Sequence, residues 1–272
     1  MKRFLTIVTS VPLLSALPTL ADATHPALND THYFQAGVFS QSAETTVSAS
    51  RNGEPGDSID LDNLDVDDNY LSWTLAYQWR FADRWSLNIL GHTFDTDGST
   101  RITDSFEFDG TAFEAGASLD SEFSVDALLI DVFYSVYRSD QAELQLGVGL
   151  HAFDFSVSFD AAVFAGDLAT SRTAAADDLL APLPNIRLHG VYAFTPKWAV
   201  YGGVGLLSAN AGDYDGRYLF GSVKTDYRIT DRFAVGVGYE VVDVDLTYAP
   251  SSREVVFDVQ FYGPTAFVSY SF

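Results

Sequence analysis

The chain has no cysteine and one methionine, and its 15 Lys and Arg are outnumbered by 37 Asp and Glu. Without cysteine there are no disulfides, no thiolate nucleophile and no Cys-based metal site. The shortage of bases gives a formal charge of −22. That balance excludes the basic footprint of a nucleic-acid binder and argues against simple attraction to anionic lipid. Beyond the first residues there is also no run of roughly 20 consecutive apolar residues, the length a spanning helix needs. If this chain crosses a bilayer, it crosses as strands.

What is abundant is aromatic: 21 Phe, 14 Tyr and 4 Trp. The start is of another kind. Met1-Lys-Arg3, an apolar run from Phe4 to Leu20 and Ala21-Asp-Ala23 have the charged head, apolar middle and A-x-A exit of a secretory leader. The expected organisation is a signal peptide over 1–23 and one domain over 24–272. Cleavage removes Lys2, Arg3 and Asp22, taking the formal charge to −23.

Alternating, aromatic-rich runs are joined by two kinds of connection. One kind is short: Phe81-Ala-Asp-Arg-Trp85, Tyr137-Arg-Ser-Asp-Gln141, Phe194-Thr-Pro-Lys-Trp198 and Ile229-Thr-Asp-Arg-Phe233. The other is acidic and mostly longer: 49–69, 95–120, 160–183, 208–217 and a tight one at 250–252. Nine connections join ten strands, placed at 31–48, 70–80, 84–94, 121–137, 141–159, 184–194, 198–207, 217–229, 232–248 and 254–272. Short turns at one end and long loops at the other are the asymmetry of an outer-membrane barrel, with the short turns periplasmic. The predicted fold is therefore all-β, a closed antiparallel transmembrane β-barrel of ten strands, or of eight if two hairpins fold outside the membrane. Several strands exceed the roughly 9–11 residues a crossing takes, so the sheet should extend outward. Within two of them the apolar set changes parity, from Leu144–Leu150 to Phe153–Phe159 and from Val235–Val241 to Val242–Leu246. A bulge, or an exchange of which face is buried, is expected there. Ala174–Ala181, rich in Ala and Leu and closed by Pro182, has the composition of a short surface helix, with a frayed loop the equal alternative.

The last strand carries its own signal. Phe272, Tyr270, Val268 and Ala266 form an apolar row, and Ser271, Ser269 and Thr265 a polar one interrupted by Phe267. A terminal aromatic on such a strand resembles the signal read by the bacterial outer-membrane assembly machinery. Beside the short turns, Trp79, Trp85, Tyr137, Phe194, Trp198, Tyr227, Phe233 and Phe272 form the expected periplasmic aromatic girdle.

The same parity turns a polar set inward: Gln35, Gln78, Arg80, Asn88, His92, Gln145 and the charged or titratable Asp131, Glu143, Arg187, His189, Lys224, Asp226, Arg228 and Glu240. A ten-strand lumen is largely filled by side chains. These charges should pair, Lys224, Asp226 and Arg228 with groups such as Glu240 beside them, and with Arg187, Asp131 or Glu143 across the lumen.

Catalysis finds little support. Ten strands is the architecture of the omptin proteases, which use acidic residues and a histidine at the extracellular rim. Asp95/Asp97 and Asp213/Asp215 are paired carboxylates there, but no Asp-x-His accompanies them. His92, His151 and His189 lie in no His-x-Ser, as a deacylase-type Ser–His arrangement would favour. A calcium loop beginning at Asp60 would need Gly at its sixth position and Glu at its twelfth, where Asp65 and Leu71 stand. No catalytic, cofactor or metal residue is assigned, and the acidic loop is read as solvated.

Gly56-x-x-Ile-Asp-Leu61, Ala181-Pro-Leu-Pro184, Asp213-Tyr-Asp-Gly216, Gly238-Tyr239 and Tyr262-Gly-Pro264 resemble a set of uncharacterised proteobacterial outer-membrane barrels, similar in plan to OmpW-like and OmpA-like small barrels. The resemblance implies residence in the bacterial outer membrane. Lipid, lipopolysaccharide and the assembly machinery are then the expected partners. It carries no functional residue. Two roles stay open: a structural or surface-interaction barrel with a plugged lumen, or a narrow porin-like channel for small or apolar solutes. An outer-membrane hydrolase is a remote third.

Overall fold

The computed structural model describes residues 25–64, 69–165 and 168–272; the signal-peptide reading lies outside them. Ten long strands form the body: β1 (His32–Arg51), β2 (Asn69–Ala82), β3 (Trp85–Arg101), β4 (Ser118–Arg138), β5 (Ala142–Ala165), β6 (Leu168–Thr195), β7 (Trp198–Ala211), β8 (Tyr214–Arg228), β9 (Phe233–Tyr248) and β10 (Arg253–Ser271). Each pairs antiparallel with the next. β10 returns to β1 over a ladder running from Tyr33↔Ser271 to Arg51↔Arg253. The N–H groups of Thr31 and His32 both donate to the Phe272 carbonyl, at 3.0 and 2.9 Å, sealing the periplasmic end of that seam. Closure leaves no open sheet edge in lipid, where each unpaired backbone group costs several kcal/mol, roughly.

Alternation sets the two faces of each strand. Outward, Leu75, Val148, Ile186, Leu206, Val223, Val237 and Val268 are each more than half exposed, which only a lipid solvent makes stable. Above this belt the outward positions turn acidic, as at Asp126, Glu122 and Asp120 on β4 and Asp154 and Asp160 on β5. Inward positions change the opposite way. On β5, His151 gives way to Phe153, Phe155, Val157 and Phe159, all buried. The parity change in β5 and β9 is thus an exchange of which face is apolar. Along β9 both ladders keep register throughout. The irregularity beside β5 is carried by β6, which places Ala176 and Leu179 opposite Val157 and Phe155.

The apolar interior has a topological cause. The β2–β3 ladder ends at Thr74↔His92, and the β6–β7 ladder ends at Leu206↔Ile186. Beyond these rungs the ring divides into two sheets, β3-β4-β5-β6 and β7-β8-β9-β10-β1-β2, which close on each other as a sandwich. Ring pairs cross from one sheet to the other: Phe155 to Phe257 (5.2 Å), Phe94 to Phe261 (5.1 Å) and Phe153 to Tyr218 (5.6 Å). Each fully buried Phe contributes roughly 1.5–3 kcal/mol. A small hairpin, Phe106–Phe108 with Thr111–Phe113, adds its rings to Phe159. Asp109 at its turn is held by Arg51 (2.9 Å) and Arg253 (3.0 Å).

All ten expected strands are found, and the connections are where expectation fails. The segment 174–181, expected as a short helix or a frayed loop, is strand, paired with Phe153–Phe159. Helix propensity there amounts to tenths of a kcal/mol per residue, about, and a completed ladder outweighs it. The expected loop 208–217 is a two-residue turn between Ala211 and Tyr214. Gly212 takes φ 62° at its first position, as a II′ hairpin requires.

Candidate functional site

The distinctive chemistry is inside the barrel, below the sandwich. Toward the periplasmic end Arg80 from β2 donates to both carboxylate oxygens of Glu143 on β5, at 2.8 and 2.7 Å, and the Ser135 hydroxyl donates to the same carboxylate. Both ionic side chains are nearly inaccessible. Asp131 on β4 accepts from Arg187 on β6 at 2.7 Å and faces His151 Nε2 at 3.1 Å. Arg187 and Asp131 are separated by β5, and Gly149, opposite Asp131, leaves the space the carboxylate lies in: a Cβ there would be 2.0 Å from Asp131 Oδ1. Arg187 also stacks over the Phe220 ring at 4.5 Å. Lys224 meets Glu240 on the adjacent strand at 2.7 Å, as expected. His189 faces Gln145 Oε1 at 3.3 Å.

The periplasmic floor differs from expectation. Arg228 does not pair with Glu240 or across the lumen. It donates to Ser271 Oγ (2.7 Å) and the Asp231 carbonyl (3.0 Å), and it faces Asp30 at 3.4 Å. Asp30 belongs to a short segment ahead of β1 that turns into the barrel. The segment opens with a 3-10 turn at Pro26–Leu28, whose capping His25 accepts from the Ala27 N–H through Nδ1. Leu28 is fully buried against Val191, Ala193 and Ala199. Arg138 donates to the Leu28 carbonyl at 2.7 Å. Asp226 accepts from the Tyr201 hydroxyl at 3.0 Å, and His25 Nε2 lies 3.6 Å from its other oxygen. That gap is within electrostatic range but leaves both atoms without a hydrogen bond. Burial, helped by the positive Arg228, holds the His25 imidazole down at about 4.

Every residue assigned inward faces inward. Glu143, Asp131, Arg187, Lys224, Glu240, Arg228, Asp226 and His189 all take part, in separate clusters rather than one network. Arg80 was expected inward but not as the partner of Glu143, and His151 was missing from the expected set although it alternates correctly. Asp30 and His25 precede the first strand, where no periodicity signals them. Trp79, Trp85, Tyr137, Phe194, Trp198, Tyr227, Phe233 and Phe272 all point outward beside the short turns, between 38% exposed (Tyr227) and 56% (Tyr137). Among the described residues no group of three His, Asp or Glu could hold a metal ion. Part of the rejected calcium loop, 65–68, lies outside them.

Fold and lumen together define a ten-strand transmembrane β-barrel of the bacterial outer-membrane type, and the outer membrane is its location. No protein-family model matches the sequence, and no curated protein does. Among solved structures the chain is similar to the outer membrane protease OmpT of Escherichia coli, with 11% identity, 90% of this chain and 98% of that one covered, and a TM-score of 0.53. It is more distantly similar to the translocator domain of the autotransporter NalP from Neisseria meningitidis (12%, 90% and 91%, TM-score 0.45) and to OprG from Pseudomonas aeruginosa (13%, 89% and 96%, TM-score 0.36). At these identities the likeness is one of fold.

Proposed function

We propose that this protein is a structural and surface-presenting barrel of the outer membrane whose lumen does not conduct, and that it is not an enzyme. The observation that carries the reading is that the lumen is filled at both ends by different means. Below, the segment from His25 to Asp30 sits in the floor, tied by Arg138 and Arg228. Above, the two sheets meet through buried Phe rings. An ion entering from outside would have to part an apolar core, and one entering from the periplasm would have to displace a buried segment. The reading includes removal of residues 1–23 as a signal peptide, membership in a group similar to the OmpW-like and OmpA-like small barrels, and delivery by the assembly machinery through the β10 strand. It also has lipopolysaccharide surrounding the acidic outer face.

Planar-bilayer recording tests it. The mature chain should insert without conductance steps. A variant lacking residues 24–30 should open the floor yet stay closed above. Steady wild-type conductance would replace this reading with a narrow channel for small solutes.

A further inference from the structure

An internal cavity of about 200 Å³ runs from Ala27 and Asp30 at the floor, past the ionic clusters, to the lower edge of the Phe core. Its two halves differ. Phe39, Phe153 and Phe261 belong to the aromatic side. Gln41, Asn88 and His92 belong to a polar, uncharged wall on β1 and β3. Gln41 is only 1% exposed, and its amide nitrogen is committed to Ser72 Oγ at 2.7 Å. Its Oε1 has no partner, and neither has Asn88 Oδ1. Burying an acceptor in this condition costs about 1–3 kcal/mol, so Gln41 Oε1, at the level of the aromatic side, is a standing demand for a hydrogen-bond donor; Asn88 lies well below it, on the rung of Gln78 and Tyr33. Charge is not demanded: Asp131, Glu143 and Glu240, which border the space, are each matched by Arg187, Arg80 and Lys224.

We infer that this cavity is a binding site for a small uncharged molecule with an apolar body and an O–H or N–H donor, a phenol or short-chain alcohol being the simplest examples. The size fits: an apolar cavity of about 150 Å³ holds benzene, so this one takes a single ring with a polar substituent. The aromatic half, Phe39 and Phe261, receives the body, and Gln41 Oε1 beside it receives the donor. A charged analogue is excluded, because every fixed charge around the space is already paired. The site goes beyond the structural reading and does not depend on it, since binding is read without conductance.

The test is calorimetric titration of the folded, detergent-purified mature chain with phenol and with fluorobenzene, which has the ring but no donor. Phenol should bind saturably at one site and raise the melting temperature. Fluorobenzene should bind roughly ten-fold more weakly, the worth of one hydrogen bond. Gln41→Leu should bring phenol down to the fluorobenzene level. Ala127→Phe, which fills the space from β4, should abolish both; if that variant does not fold, Ala76→Leu fills it from β2. Non-saturable uptake, or saturable uptake that survives the filling variant, means partition into detergent or the lipid-facing wall and overturns the site. Equal affinities for the two probes with Gln41→Leu silent would overturn the donor requirement, and with it the ligand class.

Discussion

The Arg80–Glu143 pair gives the sharpest test of how dry the lumen is. Arg80→Ala leaves Glu143 with the Ser135 hydroxyl and no counter-charge in a site where its side chain is about as inaccessible as any in the protein. Removing one partner of a buried pair costs about 3–5 kcal/mol. For a chain of this size that corresponds to a melting temperature lower by roughly 6–20 °C. Replacing both partners by apolar residues, Arg80→Met with Glu143→Leu, should recover most of the loss, because neither charge is then stranded. The assay is the temperature at which the compact form is lost in heat-modifiable gel migration, checked by circular dichroism in detergent. If Arg80→Ala melts within a degree or two of wild type, water reaches Glu143 and the lumen is wet. A double variant less stable than the single one would show that the pair itself, and not the desolvation of its members, carries the stability.

Three further outcomes follow from the geometry. Gly149→Ala should destabilise the barrel by a few kcal/mol, about, since its Cβ would meet Asp131 Oδ1 at 2.0 Å and force the Arg187 and His151 contacts apart; Gly221→Ala, with open space around it, is the control, and equal melting of the two would refute the account. His25 is held at about 4 against an ordinary 6.5, so the unfolded chain takes up a proton first on acidification: its contribution is complete above pH 6.5, declines between 6.5 and 4, and changes no further below. His25→Leu should flatten that part of the melting-versus-pH curve, and an unchanged slope would show that His25 does not titrate as described. The absence of cysteine allows a clean probe of the seam: Thr74→Cys with His92→Cys should cross-link, being the last rung of its ladder, whereas Trp73→Cys with Thr93→Cys, one rung higher where pairing has stopped, should not.

How much of this was legible beforehand depends on whether the signal is local. Strand number, facing and the girdle follow from period-two alternation, and Lys224 opposite Glu240 follows once parity is fixed. The parity change at Ala152 was visible, but its cause was not: two ladders stop at Thr74 and Leu206, and no single strand records where its neighbour leaves. Arg228 was matched with the wrong partner for a related reason. Asp30 reaches it from a segment ahead of β1 that has no periodicity. Ala174–Ala181 was misread because its composition favours a helix, while its ladder partners, Phe153 to Phe159, lie some twenty residues away in sequence.

The inversion of faces along each strand also fixes how the barrel sits in the bilayer. Below the rung of Leu128 and Ala152 the outside is apolar and the inside polar; above it, from Asp126 and Asp154, the outside is charged and the inside is dry. Raising the barrel puts Leu128 and then Ile130 and Leu150 in water, and lowering it drives Asp126 and Asp154 toward hydrocarbon. An ordinary spanning strand tolerates such slippage by tilting. Here both faces penalise it at the same height around the ring, so where membrane thickness and barrel disagree, it is the surrounding lipid that must stretch or thin.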